Sequence, residues 1–174
     1  AQSIKAGDAQ GVGAGGMESM ANAPHYVYGM RGGIKAGDQP LVDGMIRDGL
    51  WDSFSNTHMG NLAEYTAKKA GVSRKDQDEF ALASHKKAVA AIDACHFKAE
   101  TLPVEKVEKD EGPRADTSLE KLVALKPSFE KDGTVTPGNA PGLNDGASAL
   151  VVTSLAFAKA HGLKPLARVT AYAT

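Results

Sequence analysis

The 174-residue sequence predicts an α/β fold: a layered core of small-residue strands and short helices, interrupted by a polar, partly helical insertion. Three observations carry this expectation. Gly11–Gly16 is small, uncharged and flanked by glycine, which suits a strand whose neighbours come close, and Ala149–Thr153 is a second short apolar run. Between them the composition shifts abruptly: residues 98–132 hold 16 charged side chains, whereas residues 134–160 hold two, Asp145 and Lys159. The charged stretch must be largely solvated and the uncharged one largely buried. The 19 glycines also cluster, five in Gly7–Gly16, six in Gly29–Gly49 and four in Gly133–Gly146. Clustered glycine marks tight turns, or backbone that something else approaches closely.

In chain order, residues 2–7 read as the end of a helix, with Lys5 in its last turn and Gly7 as the stop. Gly11–Gly16 is expected to be a buried parallel strand. Met17-Glu18-Ser19-Met20 follows at its end, where α/β folds place functional side chains. Asn22–Pro40 shows no period, and a loop of that length tends to have a function. Leu41–Arg47, apolar at 41, 42, 45 and 46, reads as a short helix closed by Gly49. Asn61 is placed as the cap of a helix ending at Gly71, with Lys68 and Lys69 complementing its dipole. Ser73 opens the best-marked helix: with Asp76 it forms a capping-box pattern, and Phe80, Ala81, Ala88, Ile92 and Cys95 form an apolar stripe. On that stripe Cys95 reads as a small core-facing residue rather than a nucleophile. Beyond the charged stretch, Ala149–Thr153 reads as an interior strand. Leu155–His161 follows as a helix capped by Ser154 and stopped by Gly162, and Leu166–Ala173 as another strand. The pentapeptide Ile4-Lys-Ala-Gly-Asp8 recurs as Ile34-Lys-Ala-Gly-Asp38, but the flanks differ, so this is coincidence and not a repeat.

Composition narrows the function. With 20 basic and 21 acidic residues the formal net charge is −1, which gives no electrostatic reason to expect a nucleic-acid partner. One cysteine, Cys95, rules out an intramolecular disulfide and permits a reducing compartment. His25, His58, His85, His96 and His161 lie far apart, and one cysteine is too few, so no metal site is expected. No apolar run approaches the ~18 residues of a membrane span. Residues 1–20 lack a charged start followed by an apolar stretch. The expectation is a soluble, cytosolic protein with no membrane partner.

Two constellations could carry chemistry. Thr57-His58-Met59-Gly60, just before a helix start, suits a turn lining a ligand, although on spacing alone a satisfied structural histidine is the better reading. The second runs from Gly133 to Gly146, where Asn139, Asn144 and Asp145 offer turn-forming side chains and the glycines expose amides. It lacks the Gly-Lys-Ser/Thr and the strand-linked GxGxxG of phosphate-cradling loops.

Together these pieces resemble the thiolase family. The matching segments are Ala14-Gly-Gly-Met-Glu-Ser-Met20 with Ala23-Pro-His25, His58-Met-Gly60 with Ala63-Glu64, Lys126-Pro-Ser-Phe129, and the 133–146 stretch ending Asn144-Asp-Gly-Ala147. They follow the family's order and spacing across nearly the whole chain, and the His-Met-Gly turn is similar to the acetoacetyl-CoA, biosynthetic-type branch. The resemblance implies a thiolase-like layered αβα core with an inserted, partly helical loop domain. Residues 1–21 would end the N-terminal core half, 22–143 form the loop domain, and 144–174 return to the core as strand, helix and strand. Within the loop domain, 22–40 resembles a tetramerisation loop, including Arg31-Gly-Gly33, and 41–143 the CoA-binding part.

The activity the resemblance implies is condensation of two acetyl-CoA molecules, or cleavage of acetoacetyl-CoA, through an acyl-cysteine. Leu50, His58 and Met59 would line the pantetheine and acyl end, Phe129, Ala140, Pro141 and Gly142 the opposite wall, and Arg114 would reach the nucleotide phosphates. Such a ligand needs an apolar slot, orienting amides and a cation, and the middle of the chain supplies all three. For Arg114 a solvated surface arginine remains the alternative. No resident cofactor is implied; the CoA thioester is the substrate, and a homodimer or homotetramer is the implied assembly.

Departures from the pattern carry equal weight. The family's nucleophilic cysteine lies in a Cys-Gly-Ser-Gly motif that this sequence does not contain, and its Gly-His-Pro histidine and Cys-x-Gly acid are likewise missing. Cys95 matches neither cysteine. Pro141 stands where many members carry a serine that bonds the pantetheine, and Leu62 where a threonine is common. The expectation is therefore an internal segment of the enzyme, inactive by itself, with the mitochondrial matrix as the alternative location in a eukaryote. A 3-ketoacyl-CoA thiolase of fatty-acid breakdown and a non-enzymatic CoA-binding or oligomerisation module are the competing readings.

Overall fold

The structure is a computed structural model that describes residues 1–173. Its elements in chain order are α1 (Gln2–Ala6), β1 (Gly11–Glu18), β2 (His25–Tyr26), β3 (Val42–Asp43), β4 (Trp51–Asp52), β5 (Thr57–His58), α2 (Met59–Ala70), α3 (Arg74–Asp93), α4 (Leu119–Val123), β6 (Gly146–Thr153) and α5 (Leu155–Ala160). They fall into two compact units, one built from residues 1–19 and the chain from Asp145 onward, the other from Met20–Asn144.

In the first unit β1 and β6 pair antiparallel, Gly11 opposite Thr153 and Glu18 opposite Gly146. The parallel arrangement expected for Gly11–Gly16 is thus corrected. The partner of β1 is the segment that returns beside it, not one reached through a helical crossover, and Ser19 Oγ donates to Asp145 Oδ2 at 3.2 Å where the chain leaves and re-enters. The strands come close: a Cβ on Gly15 would lie 2.3 Å from the Ser148 carbonyl oxygen. Burial also differs from the expectation, since Met17, Leu150 and Val151 are exposed. α1 stops at Gly7, whose φ of 87° is left-handed, as the sequence predicts. α5 likewise forms where expected. Ser154 Oγ accepts from the Phe157 amide at 3.1 Å, Gly162 takes a left-handed φ of 63°, and the Phe157 ring stacks on His161 with centroids 4.0 Å apart. Leu166–Ala173 forms no strand, because a strand exists only where its amides find a partner and none of the described segments pairs with it.

The second unit opens with a short pairing of β2 and β3, followed by a π-type turn at Met45–Gly49. The short helix expected over Leu41–Arg47 is therefore shifted: Val42 and Asp43 are strand, and a single π-helical turn over Met45–Gly49 ends at Gly49 as expected. Val42 and Asp43 are drawn into pairing with Tyr26 and His25, and Asp43 Oδ1 accepts from the Met45 amide at 2.9 Å. β4 and β5 make a hairpin that runs directly into α2. That is why α2 begins earlier than Asn61: His58, in extended conformation, is its cap, while the C-terminal stop at Gly71 (φ 67°) is as expected. α3 carries the full capping box between Ser73 and Asp76. Its inward stripe differs from the expected one. Asp78 is fully buried and Ala81, Leu82, His85, Ala88, Val89 and Ile92 are half-buried, whereas Phe80 is 78% exposed. Positions 78, 81, 82 and 85 follow the i, i+3, i+4, i+7 rule, and polar Asp78 and His85 hid the stripe from a hydrophobic count. Cys95 lies past the helix end, exposed and with a left-handed φ of 57°, so it is not core-facing.

The ribbon contact yields a differential test. Gly15→Ala must push the Ser148 carbonyl aside, whereas a Cβ on Gly13 meets nothing within 4 Å. Thermal unfolding is expected to show Gly15→Ala destabilised by about 1–3 kcal/mol and Gly13→Ala close to the parent; equal effects would contradict this packing.

Candidate functional site

The candidate residues meet at the head of α2. The Met59 amide donates to the Leu50 carbonyl at 2.9 Å, tying the hairpin strands to the first helical turn. His58 Nδ1 accepts from the Gly60 amide at 2.9 Å. An Nδ1 that accepts is unprotonated, so the neutral ring carries its proton on Nε2 and keeps that edge as a donor. The His58 ring stacks on Phe129, centroids 5.0 Å apart and planes 28° from parallel. Gly60 makes this possible, because a Cβ there would lie 2.2 Å from the Phe129 ring. Met59 is exposed beside the pair. Leu50, His58, Met59 and Phe129 are thus joined by direct contacts.

Ala140, Pro141 and Gly142 sit on a loop held from below by buried charge. Glu64, 6% exposed on α2, accepts from the Thr134 amide at 2.8 and 2.9 Å, the Thr134 hydroxyl at 2.8 Å and the Val135 amide at 2.8 Å. Gly133 is required beside it, since a Cβ there would lie 2.3 Å from Glu64 Oε1. Farther along, Asn139 Nδ2 donates to Asp78 Oδ1 at 2.9 Å and to the Thr134 carbonyl at 3.0 Å, while its Oδ1 accepts from the Thr136 amide at 2.8 Å. Asp78 also receives Arg74 Nε at 2.8 Å, and Arg74 donates to the carbonyls of Leu122 at 2.8 Å and Leu125 at 3.0 Å, capping the end of α4. The Ala140 amide closes the turn on the Thr136 carbonyl at 3.1 Å, leaving Pro141 and Gly142 exposed. The Ser128 amide, next to Phe129, donates to the Val135 carbonyl at 2.9 Å, so the stack and the loop share one frame.

Arg114 stands elsewhere in this unit. Its amide donates to His85 Nδ1 of α3 at 3.1 Å and the residue is exposed. Two residues on, Lys121 first and Arg114 in smaller measure hold the Asp116 carboxyl below the usual carboxylate range. Among the described residues no cluster of three or more His, Cys, Asp or Glu could hold a metal ion, and no helix is long and apolar enough to cross a membrane.

Glu64, Asp78 and Arg74 hold the candidate loop in place, and the sequence alone assigned none of them a role. The signal was present in part. Arg74 and Asp78 are spaced i, i+4, and Asp78 falls on the inward stripe of α3, where an unpaired carboxylate would be costly.

Residues 1–156 match the thiolase N-terminal domain. The chain belongs to the thiolase family. It is 49% identical over 183 residues to an acetyl-CoA acetyltransferase of Pseudomonas aeruginosa, covering all of this chain and 47% of that protein. A Cupriavidus necator acetyl-CoA acetyltransferase is 49% identical over 182 residues, with 99% and 46% covered. Among solved structures, an acetyl-CoA acetyltransferase from Syntrophomonas wolfei superposes with a TM-score of 0.86. Human mitochondrial 3-ketoacyl-CoA thiolase in complex with CoA superposes with a TM-score of 0.87. Each of these is 40% identical and covers 95% of this chain and 43% of its own. The chain spans about half the length of the curated relatives it matches. Its fold is the thiolase-like α/β fold, into which the partly helical Met20–Asn144 unit is inserted.

Burial pushes the Glu64 carboxyl up, but the hydrogen bonds from Thr134 and Val135 outweigh it and hold the group below the ordinary glutamate range. A depressed folded-state pKa means stability that is complete above the unfolded value and lost as pH falls through the folded one. Denaturant unfolding is therefore expected to weaken from about pH 4.5 downward. Glu64→Gln, which turns an amide donor toward other donors, should cost about 2–3 kcal/mol at neutral pH and flatten that acid slope. An unchanged midpoint would contradict the clamp.

Proposed function

We propose that the whole protein is an acetyl-CoA acetyltransferase, joining two acetyl-CoA molecules into acetoacetyl-CoA or running the reverse. The observation that carries this is the His58–Phe129 stack at the head of α2, built over Gly60 and flanked by exposed Met59. In this reading Leu50, His58 and Met59 form one wall of a slot for the pantetheine arm, with His58 Nε2–H as its directional donor. Phe129, Ala140, Pro141 and Gly142 form the other wall, and Arg114 meets the nucleotide phosphates. With proline at 141 the side-chain bond of the common serine is replaced by shape alone.

The nucleophilic cysteine and the acid–base histidine and cysteine stand outside these 174 residues, so this chain alone is proposed to be inactive. The acyl-cysteine divides one hard step into two, and the chemistry calls for no resident cofactor beyond the CoA thioester substrate. Residues 22–143 serve as the loop domain and 26–40 as the element joining copies into a dimer or tetramer, supported by exposed Tyr28, Met30 and Ile34. The proposed setting is the cytosol, or the mitochondrial matrix in a eukaryote.

A 3-ketoacyl-CoA thiolase of fatty-acid breakdown is the second reading, favoured by the near-equal superposition on both kinds of solved structure. The His58-Met59-Gly60 turn is what favours the short-chain reading. Thiolysis by the full-length protein discriminates between them. Acetoacetyl-CoA is expected to be cleaved with higher kcat/KM than a 3-ketoacyl-CoA of eight or more carbons (on the order of tenfold or more). The reverse preference would sink the short-chain reading, and cleavage of neither would leave a binding module.

A further inference from the structure

We infer that His85 is a positioning residue for Arg114: by accepting the Arg114 amide it sets where the guanidinium meets the phosphates of a bound nucleotide. The inference rests on the CoA reading above. Arg114 lies in residues 94–118, a stretch without helix or strand ladder apart from the isolated Val104–Val107 bridge. Residues 98–112 are exposed throughout, so they bury no core that could fix Arg114 in place. α3 is the opposite kind of element: twenty residues, box-capped at Ser73, with His85 half-buried on its inward stripe. The bond of 3.1 Å from the Arg114 amide to His85 Nδ1 transfers that rigidity to the loop. A second tether lies two residues on, where Lys121 Nζ of α4 donates to the Asp116 carbonyl at 2.6 Å and to Asp116 Oδ2 at 3.0 Å.

Arg114 is thus bracketed by its own amide on α3 and by Asp116 on α4, with the side chain left exposed. A long, flexible cation gains from this arrangement, because fixing its Cα reduces the freedom lost when it closes on an anion. Only an acceptor can hold the amide. His85 therefore acts with Nδ1 unprotonated, and a side-chain carbonyl of similar reach can replace it while a methyl cannot.

The test uses the full-length protein, titrated with CoA and with pantetheine, which shares the arm but lacks the nucleotide. Four forms are compared: the parent, His85→Ala, His85→Gln and Arg114→Ala. His85→Ala is expected to raise the Kd of CoA about three- to tenfold and to leave that of pantetheine unchanged, with His85→Gln restoring most of the loss. Arg114→Ala should weaken CoA selectively and at least as much. If Arg114→Ala weakens CoA and His85→Ala does not, the inference is overturned while the CoA reading stands. If Arg114→Ala has no nucleotide-specific effect, the phosphate role of Arg114 fails and the inference with it. Equal weakening of both ligands by His85→Ala, or no rescue by glutamine, also overturns it, since the effect would then be a general loss of structure.

Discussion

The Glu64 carboxylate is the interaction on which the Met20–Asn144 unit depends. A buried carboxylate is costly unless its oxygens are hydrogen-bonded, and a glycine-rich loop is costly unless its amides are satisfied. Each problem answers the other, because Thr134 and Val135 present their amides, and Thr134 its hydroxyl, to the two oxygens. Such charge-assisted bonds exceed neutral ones in strength. Gly133 leaves the room that the approach needs.

From this anchor the frame extends in two directions. Toward the site, the Val135 carbonyl holds the Ser128 amide and so locates Phe129 against His58. Toward the helices, Asn139 carries the loop to Asp78, which is shared with Arg74, which in turn ends α4. No buried side-chain nitrogen or oxygen among the described residues lacks a partner. Loop-built walls are mobile by default. Here the tip, Pro141 and Gly142, is exposed while its base is pinned by the hydrogen bonds to Glu64 and Asp78 and packs at Gly138 against Leu122 and Leu125.

Local signals were legible in the sequence where their physics is local. The Ser73–Asp76 box, the Ser154 cap and the left-handed glycines at 7, 71 and 162 each follow from a side chain and its own backbone, and each is in place. Pairing was less legible. Nothing in Gly11–Gly16 says that its partner returns antiparallel from residue 146, or that Leu166–Ala173 finds no strand partner among the described residues, because register is decided by segments far apart in the chain. At the site, the motif resemblance picked out His58 and Phe129, and their stacking adds that Gly60 is the residue that admits the ring. Asp78 went unmarked, and Glu64 stood in a matched motif without a role, for one reason: a pattern search for buried residues counts apolar side chains, and these two are buried carboxyl groups.

Amide hydrogen exchange at Thr134 and Val135 tests the clamp most directly. If Glu64 holds the loop, both amides exchange as slowly as the central amides of α2, and Glu64→Gln releases them ahead of α2. If in the parent protein they exchange as fast as the exposed amides of residues 105–111, the loop is not held by Glu64 and the frame built on it is wrong.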